Sequence, residues 1–541
     1  MPQTSFDPSC HEEQVNAISS IHSYVARSQL FVALVPPLMH LSKPDKPCEM
    51  NTWLRRGWCR VEAAAQMMTS RLPALLVQGR DCVSWYPMAL DPLPPGLGEF
   101  GCCEMCHVLP DGSRISCDKV ALKGVVEQLA ECQLVKALER TELSEYRQAI
   151  CTQRKMLERL GESDASATGG VAEVSETDAA EADASSLASF LQTFRFEHAA
   201  VVTSHNETPL LYAAMLGDAG VLRALLKRAD VCAQINLPTT ALLGRLPEGS
   251  TPLYAAALDG EAIGLQLLVD HGADPLVKPQ HVKVLGGTSI MGEIGVLERL
   301  VMTGRPSGVE WWLRRFGIEM RGGARGHCMP LCHMCTVTPT TEQPLACLRL
   351  LVDLGGEALT SYDRIGSHIL HNAAMSLDAS TFKELMKIVP ASLVNGDRQR
   401  RVPVKWSEPR IKLIGTIAMW LFRTGRTKKT GKHLIMKIFA NVPGATPLHI
   451  SVSFGNYGVT KALLESGADP TIRNKVGLTP LQRARIQSGR FPEIEELVER
   501  HLEAFSGSAK KAKGRSPSAA AARFASVPPP VAPASLGSHT M

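Results

Sequence analysis

The sequence reads Ala-Thr-Pro-Leu-His at residues 445–449, and a near copy, Leu-Thr-Pro-Leu, follows 33 residues after it at 478–481. Thr446 is suited to cap a helix, and Pro447 fits the first helical turn because no amide hydrogen is needed there. Leu448 then points toward the core. A recurrence at this interval is typical of proteins that stack one helical unit on the next. The sequence therefore predicts a helical solenoid.

The same phrases occur elsewhere in the chain. Thr-Pro-Leu recurs at 208–210 and 251–253, and Gly-Ala-Asp-Pro occurs at 272–275 and 467–470, where the glycine can end a second helix in the left-handed conformation. Together these phrases resemble the ankyrin-repeat family over most of 205–502. The positions that we assign to the repeat motif are Thr208, Pro209, Thr251, Pro252, Leu253, Thr446, Pro447, Leu448, His449, Thr479, Pro480 and Leu481.

The composition is that of a long, nearly neutral chain. At 541 residues it is too long for one compact core. Its 58 basic and 53 acidic residues leave a net charge of only +5, far from the one-sided charge of a dedicated nucleic-acid binder. No apolar stretch approaches the ~18 residues of a membrane span, and no secretory signal is visible at the start. The 15 cysteines are therefore expected to be reduced thiols in an intracellular protein, with the cytoplasm favoured over the nucleus.

Residues 1–119 are predicted to form an α/β unit. Apolar residues recur at helical spacing in 13–28, and a continuous apolar run follows at 30–35 before two prolines. That run predicts a fully buried strand of the parallel-sheet kind. A helix is predicted over 53–68 and a second strand at 75–77. Helix, strand, helix and strand in this order favour an α/β unit.

The phrase Trp-Cys-Arg-Val-Glu at 58–62 carries a second resemblance. Over residues 13–80 the chain is similar to the middle of a Toll/interleukin-1 receptor (TIR) domain, in which such a phrase begins the helix after the third strand. The resemblance implies an incomplete unit, because the family's first two strands and glycine-containing loop have no counterpart. It also implies one catalytic residue, Glu62, since the glutamate of this helix serves NAD cleavage in enzymatic members. The simpler alternative is that Glu62 supports packing and the helix dipole.

Two cysteine-rich stretches raise the question of a metal. Cys103, Cys106 and His107 match the pattern for c-type haem attachment, and with Cys117 they could close a tetrahedral zinc site. The sequence favours the alternative, reduced thiols, so no cofactor is predicted. The second stretch, 327–335, aligns with the Thr-Pro-Leu phrase, and its cysteines and histidines are therefore assigned to repeat helices.

The remaining boundaries follow from composition and spacing. Amphipathic helices, an acidic flexible linker, the repeat array and a disordered tail rich in Pro, Ala and Ser are predicted in that order. Their predicted ranges are 120–160, 161–186, 187–505 and 506–541. Insertions in the array are predicted at 237–248, 279–325 and 396–443, and two helix-like pieces within the second of these are also consistent with a degenerate repeat.

The favoured function is that of a non-enzymatic scaffold that binds another protein. Stacked repeats build a concave face from loop tips and first helices, and that face offers a large area without fixed chemistry. The residues predicted to contact the partner are Tyr212, Leu216, Tyr254, Asp259 and Phe454. His449 has a structural alternative, a hydrogen bond between neighbouring turns. The competing hypotheses are an NAD-cleaving enzyme that uses Glu62 and a TIR-like signalling adaptor without catalysis.

Overall fold

The computed structural model describes residues 20–28, 30–41, 43–69, 74–79, 82–86, 93–108, 111–140, 142–160, 176–279, 294–320, 329–337, 343–363, 366–396, 444–475, 477–486 and 491–513. Helices dominate these ranges, and strands form two small sheets, which confirms the predicted mainly helical fold class. None of the helices in these ranges is long and apolar enough to cross a membrane.

The N-terminal unit contains both sheets. Its strands are β1 Val32–Leu34, β2 Leu38–His40, β3 Lys43–Cys48, β4 Ala74–Gly79 and β5 Cys82–Tyr86. β1 pairs in parallel with β4, with Val32 opposite Leu75, and β4 pairs antiparallel with β5. β2 and β3 form a separate antiparallel hairpin. The parallel pair is the feature expected of an α/β unit.

β1 is covered on one face only, so the prediction of a fully buried strand is wrong. Ala33 is 3% exposed, whereas its neighbours Val32 and Leu34 are 43% and 69% exposed. Successive side chains of a strand point to opposite faces, and here Ala33 and Val35 pack against Leu76 on the covered face. The continuous apolar run identified a strand correctly but could not reveal that its other face lacks a covering layer within the described residues.

Among the described residues, five α-helices accompany these strands in the N-terminal unit. They are α1 Ile21–Arg27, α2 Met50–Arg55, α3 Gly57–Thr69, α4 Gly101–Glu104 and α5 Asp118–Glu139. The helix predicted over 53–68 is two helices, because Arg56 is extended and forms a bridge with Glu99. The unit's main core lies between α1, α3 and α5, where Val61 and Leu122 are fully buried.

The rest of the described chain is a stack of helices. Two helices open it, α6 Leu143–Met156 and α7 Glu176–Thr193. Seven helix pairs follow: α8 Pro209–Leu216 with α9 Ala219–Leu226, α11 Pro252–Asp259 with α12 Ala262–Asp270, α13 Val296–Thr303 with α14 Pro306–Phe316, α15 Leu331–Val337 with α16 Pro344–Asp353, α17 Ile369–Ser376 with α18 Ala379–Ile388, α19 Pro447–Phe454 with α20 Tyr457–Glu465, and α21 Pro480–Ile486 with α22 Pro492–Lys513. A short helix, α10 Ala229–Cys232, follows the first pair.

Each pair is one repeat, and the repeats stack in order. Every first helix packs on the first helix of the next repeat, and every second helix packs on the next second helix. Helices α6 and α7 pack on α8 and α9, so they close the N-terminal end of the stack. We call the loop that leads from one repeat to the next a finger, and the short connection inside a repeat a turn. Because a pair reverses direction at its turn, fingers and turns lie on opposite edges of the array.

The repeat motif does what its residue types predict. Thr208 Oγ1 accepts a hydrogen bond from Leu211 N at 3.1 Å, and Thr251 Oγ1 accepts one from Tyr254 N at 3.4 Å. Thr479 Oγ1 accepts one from Gln482 N at 3.2 Å. The residues at the first helical position are Pro209, Pro252, Pro447 and Pro480. The buried leucines of the motif are Leu253, Leu448 and Leu481.

Several predicted boundaries need correction. Helices α13 and α14 stack as a full repeat, so 279–325 is not simply an insertion. Residues 176–186, assigned to the flexible linker, belong to α7, which packs on α9 through its C-terminal half. Residues 506–513, assigned to the disordered tail, continue α22. Residues 237–248 form a finger closed by a bridge between Leu243 and Leu246. The predicted features at 13–19, 161–175, 397–443 and 514–541 lie outside the described residues.

Candidate functional site

A buried histidine joins repeats six and seven. The Nδ1 atom of His449 accepts a hydrogen bond from Thr446 N at 3.1 Å, so Nε2 carries the proton and donates to Leu478 O at 2.9 Å. Burial lowers the pKa of His449 to about 4, which keeps the ring neutral at neutral pH. His449 is therefore a structural residue, in agreement with the predicted alternative of a hydrogen bond between neighbouring repeats.

His371 repeats this arrangement between repeats five and six. Its Nδ1 accepts from His368 N at 3.3 Å, and its Nε2 lies 2.8 Å from Ala445 O. This bond joins two repeats that are neighbours in space although residues 397–443 lie between them in sequence. The stack is thus continuous across the predicted insertion.

Two asparagines connect neighbouring fingers. Asn236 Nδ2 donates to Gly272 O at 3.0 Å, and its Oδ1 accepts from Asp274 N at 2.7 Å. Asn395 makes the same two bonds to the backbone of the finger between repeats six and seven. Each asparagine therefore holds the next finger at two backbone atoms.

Exposed apolar side chains lie on the fingers. Val202 precedes the first repeat, Leu242 and Leu276 lie on the next two fingers, and Leu354 begins the finger after α16. They are 44%, 64%, 51% and 41% exposed, respectively. A single exposed leucine is ordinary, and exposed apolar residues on several fingers along the same edge make that edge the candidate contact surface.

The predicted contact residues on the first helices differ in how far they are buried. Tyr212 and Tyr254 are buried, and the Tyr212 hydroxyl donates to Glu207 Oε1 at 2.6 Å. Leu216 and Phe454 are half-buried and pack against the array core. Tyr212 and Tyr254 have no surface to offer a partner, which corrects that prediction. The first helices are buried nearly throughout, because each is enclosed by the first helices of the neighbouring repeats and by second helices.

The N-terminal unit covers part of the turn edge. Arg55, at the end of α2, forms ion pairs with Asp378 in the turn of repeat five and with Glu99 in its own unit. Asn51 Nδ2 donates to Leu377 O at 2.9 Å. The contacts with Leu377 and Asp378 join residues more than 300 positions apart in sequence, and they hold the unit against the edge opposite the fingers.

Glu49 extends this contact to repeat six. Its carboxylate oxygen Oε2 accepts a hydrogen bond from Gly458 N at 3.2 Å, and the side chain is buried. Gly458 is required here, because a Cβ at this position would lie 2.7 Å from Ala379 Cβ and 3.2 Å from Glu49 Oε1. Burial raises the pKa of Glu49 to about 7, against the opposing hydrogen bond from Gly458.

The docking of the unit should weaken as pH rises. The pKa of Glu49 is 4.5 when exposed and about 7 when docked, so the docked state holds a proton that the undocked state releases. This contribution is fully present below pH 4.5 and is lost as pH rises through about 7, a change of roughly 3 kcal/mol. We expect unfolding in urea between pH 5 and pH 8 to show this loss, and Glu49→Gln to remove it. The exposed Glu127→Gln should keep it; an identical pH profile in both variants would contradict the assignment.

A cavity of about 1240 Å³ separates the N-terminal unit from repeats one to three. At its wall Arg305 Nη2 lies 2.7 Å from both carboxylate oxygens of Glu158, which ties repeat three to the residues after α6. Asp259, predicted to contact a partner, lies at this wall 3.9 Å from Arg305, and burial raises its pKa to about 6. Asp259 is therefore turned toward the cavity. Glu62 is not among the residues that line it.

Glu62 lies on α3 and is half-buried. Burial, and secondly the Glu62 carboxylate, raise the pKa of the nearby Cys59 thiol to about 12, so this thiol is not an activated nucleophile. Within the described residues, Glu62 is therefore a half-buried carboxylate on a helix that packs into the main core of the N-terminal unit.

The thiols near α4 converge, but in a different set from the predicted one. Cys103, His107 and Cys117 come together with Cys102, and their four potential ligand atoms all lie within 4.8 Å of one another. Cys106 is exposed and is not part of this group. In the second cysteine-rich stretch, His333 is buried in α15 and receives a hydrogen bond from Asn372, as expected of a repeat helix.

Comparison with protein-family models agrees with the repeat architecture in two segments. The ankyrin-repeat family model matches residues 205–236 and 444–475. The chain is similar to the ankyrin repeat domain of Bcl-3, a unique member of the IkappaB protein family, at 17% identity and a TM-score of 0.29, over 55% of this chain and 100% of that one. It is also similar to EF0377, an ankyrin repeat protein, at 16% identity and a TM-score of 0.24, over 54% of this chain and 96% of that one. No curated protein matches the chain. The chain contains ankyrin repeats, and the TIR resemblance remains a prediction.

Proposed function

We propose that this chain is an intracellular scaffold whose ankyrin array binds a protein partner through its finger edge. The observation that carries the proposal is the difference between the two edges of the array. Within the described residues, the finger edge bears exposed apolar side chains, whereas the chain's own N-terminal unit covers part of the turn edge. A partner therefore has the fingers as its accessible surface.

The fingers that Asn236 and Asn395 hold are suited to binding because they are already ordered. Asn236 and Asn395 hold neighbouring fingers through two hydrogen bonds each, and His371 and His449 fix the loops beneath them. A preordered loop loses little conformational freedom when it binds, so more of the contact energy becomes affinity.

The apolar residues on the fingers are the proposed anchors. A few large side chains usually carry most of the binding energy of an interface, surrounded by contacts that exclude water. Of the four exposed apolar residues named above, Leu242 and Leu276 are the most exposed, and they lie on consecutive fingers. The proposal assigns no catalytic step to the chain, and it treats Glu62 as a structural carboxylate.

The test compares finger variants with a variant on the outer face. The full-length chain is crosslinked to its partner in an extract of its source cells, the partner is identified by mass spectrometry, and purified partner is titrated against each variant. We expect Leu242→Glu/Leu276→Glu to weaken binding at least about tenfold, because charge enters the proposed contact. Ile263→Glu changes a residue of α12 that is 44% exposed and should bind like the parent chain. Equal or greater weakening by Ile263→Glu would overturn the finger assignment.

A further inference from the structure

Four potential metal ligands meet beside helix α4. Cys103 Sγ lies 3.9 Å from Cys102 Sγ, 3.7 Å from Cys117 Sγ and 3.6 Å from His107 Nε2. We propose that these four residues bind one zinc ion as a structural Cys3His site.

The three distances from Cys103 match edges of a zinc tetrahedron. Two sulfurs at ~2.3 Å from zinc are ~3.8 Å apart, and a sulfur and an imidazole nitrogen bound to the same ion are ~3.6 Å apart. All three distances from Cys103 agree with these edges to within about 0.1 Å. Contact between two thiols alone would give a similar sulfur–sulfur distance. It would not bring a third sulfur and a histidine nitrogen within the same 4.8 Å.

The backbone is shaped to bring His107 back to the thiols. Cys106 and His107 both have left-handed conformations, with φ of 52° and 58°, which are uncommon outside glycine. His107 N donates to Cys102 O at 2.8 Å, and Ile115 N donates to His107 O at 3.0 Å. Strained residues of this kind persist where the surrounding structure fixes them, and a shared metal ion would supply that constraint.

The donor set specifies the metal and its role. Three thiolates and one imidazole in a tetrahedron favour zinc over the harder divalent ions. Four protein ligands leave no open position, so the site is structural and not catalytic. Asp118 N lies 3.4 Å from Cys102 Sγ and donates to it, which orients this ligand.

The zinc site would fix the segment that supports docking. Cys102 follows closely on Glu99, which pairs with Arg55 and accepts a hydrogen bond from Gly57 N at 2.8 Å. Arg55 in turn pairs with Asp378 of repeat five. Because zinc binding to such a site is coupled to local folding, its loss should loosen this segment.

The test measures zinc in the full-length chain, purified under reducing conditions, by elemental mass spectrometry. We expect about one zinc ion per chain in the parent and in Cys106→Ser, the matched control in the same segment. Cys103→Ser and Cys117→Ser should fall to background. A parent chain that holds no zinc after incubation with Zn²⁺, one that holds iron instead, or retention of zinc by Cys103→Ser would overturn the proposal.

A second measurement does not depend on the folding of variants. Bound metal is removed from the parent chain with a chelator, and the chain is then titrated with Co²⁺. Cobalt binds at zinc sites, and its absorption spectrum depends on the ligands that coordinate it. We expect thiolate-to-cobalt charge-transfer bands and the d–d bands of tetrahedral coordination, both lost on addition of Zn²⁺. An octahedral cobalt spectrum without charge transfer would overturn the assignment.

Discussion

Replacing Arg147 with alanine is expected to lower the free energy of unfolding of the first repeats by about 3–5 kcal/mol, because it leaves a buried carboxylate without its charge partner. Arg147 Nη1 lies 3.2 Å from Glu207 Oε2, and the side chains are only 5% and 1% exposed. Within the described residues, this ion pair links α6 to the start of repeat one.

The surroundings of Arg147 explain the size of the effect. Its Nε donates to Phe194 O at 3.0 Å, its Nη2 donates to Arg195 O at 3.1 Å, and its guanidinium lies 4.0 Å above the centre of the Phe196 ring. The variant therefore loses two backbone contacts and a cation–π contact in addition to the ion pair. Glu207 keeps its bond from Tyr212, which cannot neutralise its charge.

Two comparisons separate burial from charge. Arg154 pairs with Asp218 at 3.3 Å but is 55% exposed, so Arg154→Ala should cost at most about 1 kcal/mol. The double variant Arg147→Met/Glu207→Gln removes both buried charges and should recover most of the loss. Urea unfolding and hydrogen exchange of α8 and α9 measure both the cost of each single substitution and the recovery in the double variant. A cost for Arg147→Ala no larger than that for Arg154→Ala would contradict the predicted role.

The sequence could predict the array because its signals are local. A threonine cap, a proline in the first turn and a glycine at the end act within a few residues, so their recurrence identifies each well-preserved repeat. The sequence assigns the third repeat to an insertion because Gly295 stands where the threonine that caps a first helix would be expected. Its helices are defined instead by buried Leu297 and Trp312, which stack on their neighbours.

The docking of the N-terminal unit could not be predicted in this way. The bond between Asn51 and Leu377 joins residues 326 positions apart, and a polar side chain on a short helix carries no local sign of such a partner. The buried Glu49 is equally uninformative in sequence, since it precedes α2 like any helix-capping carboxylate. Only the folded chain reveals that Gly458 makes room for it.

The thiol cluster shows how spacing alone can select the wrong ligand. The interval from Cys103 to Cys106 is a common metal-binding spacing, and it favours Cys106 over Cys102 as the candidate ligand. The left-handed backbone at Cys106 and His107 presents the histidine to the cluster and leaves the Cys106 thiol exposed. The adjacent pair Cys102 and Cys103 is visible in the sequence. The choice between Cys102 and Cys106 as a ligand, however, depends on the backbone conformation.

Leu448→Ala is expected to destabilise the array by about 2–5 kcal/mol, the cost of a cavity in a packed core. Leu448 is fully buried in α19, which packs on α17 in the preceding repeat and on α21 in the following one. In a linear stack each repeat is stabilised chiefly by its neighbours, so a cavity here weakens the connection between repeats one to five and the last two.

This effect should be measurable in the full-length chain. We expect a lower urea midpoint, together with faster hydrogen exchange in α19, α20 and α21 than in α8 and α9. Leu354→Ala removes a leucine that is 41% exposed on a finger and should change the free energy of unfolding by no more than about 0.5 kcal/mol. If Leu448→Ala left the midpoint where Leu354→Ala leaves it, Leu448 would not lie in a continuous core. The stacking of repeats five to seven would then have to be reassigned.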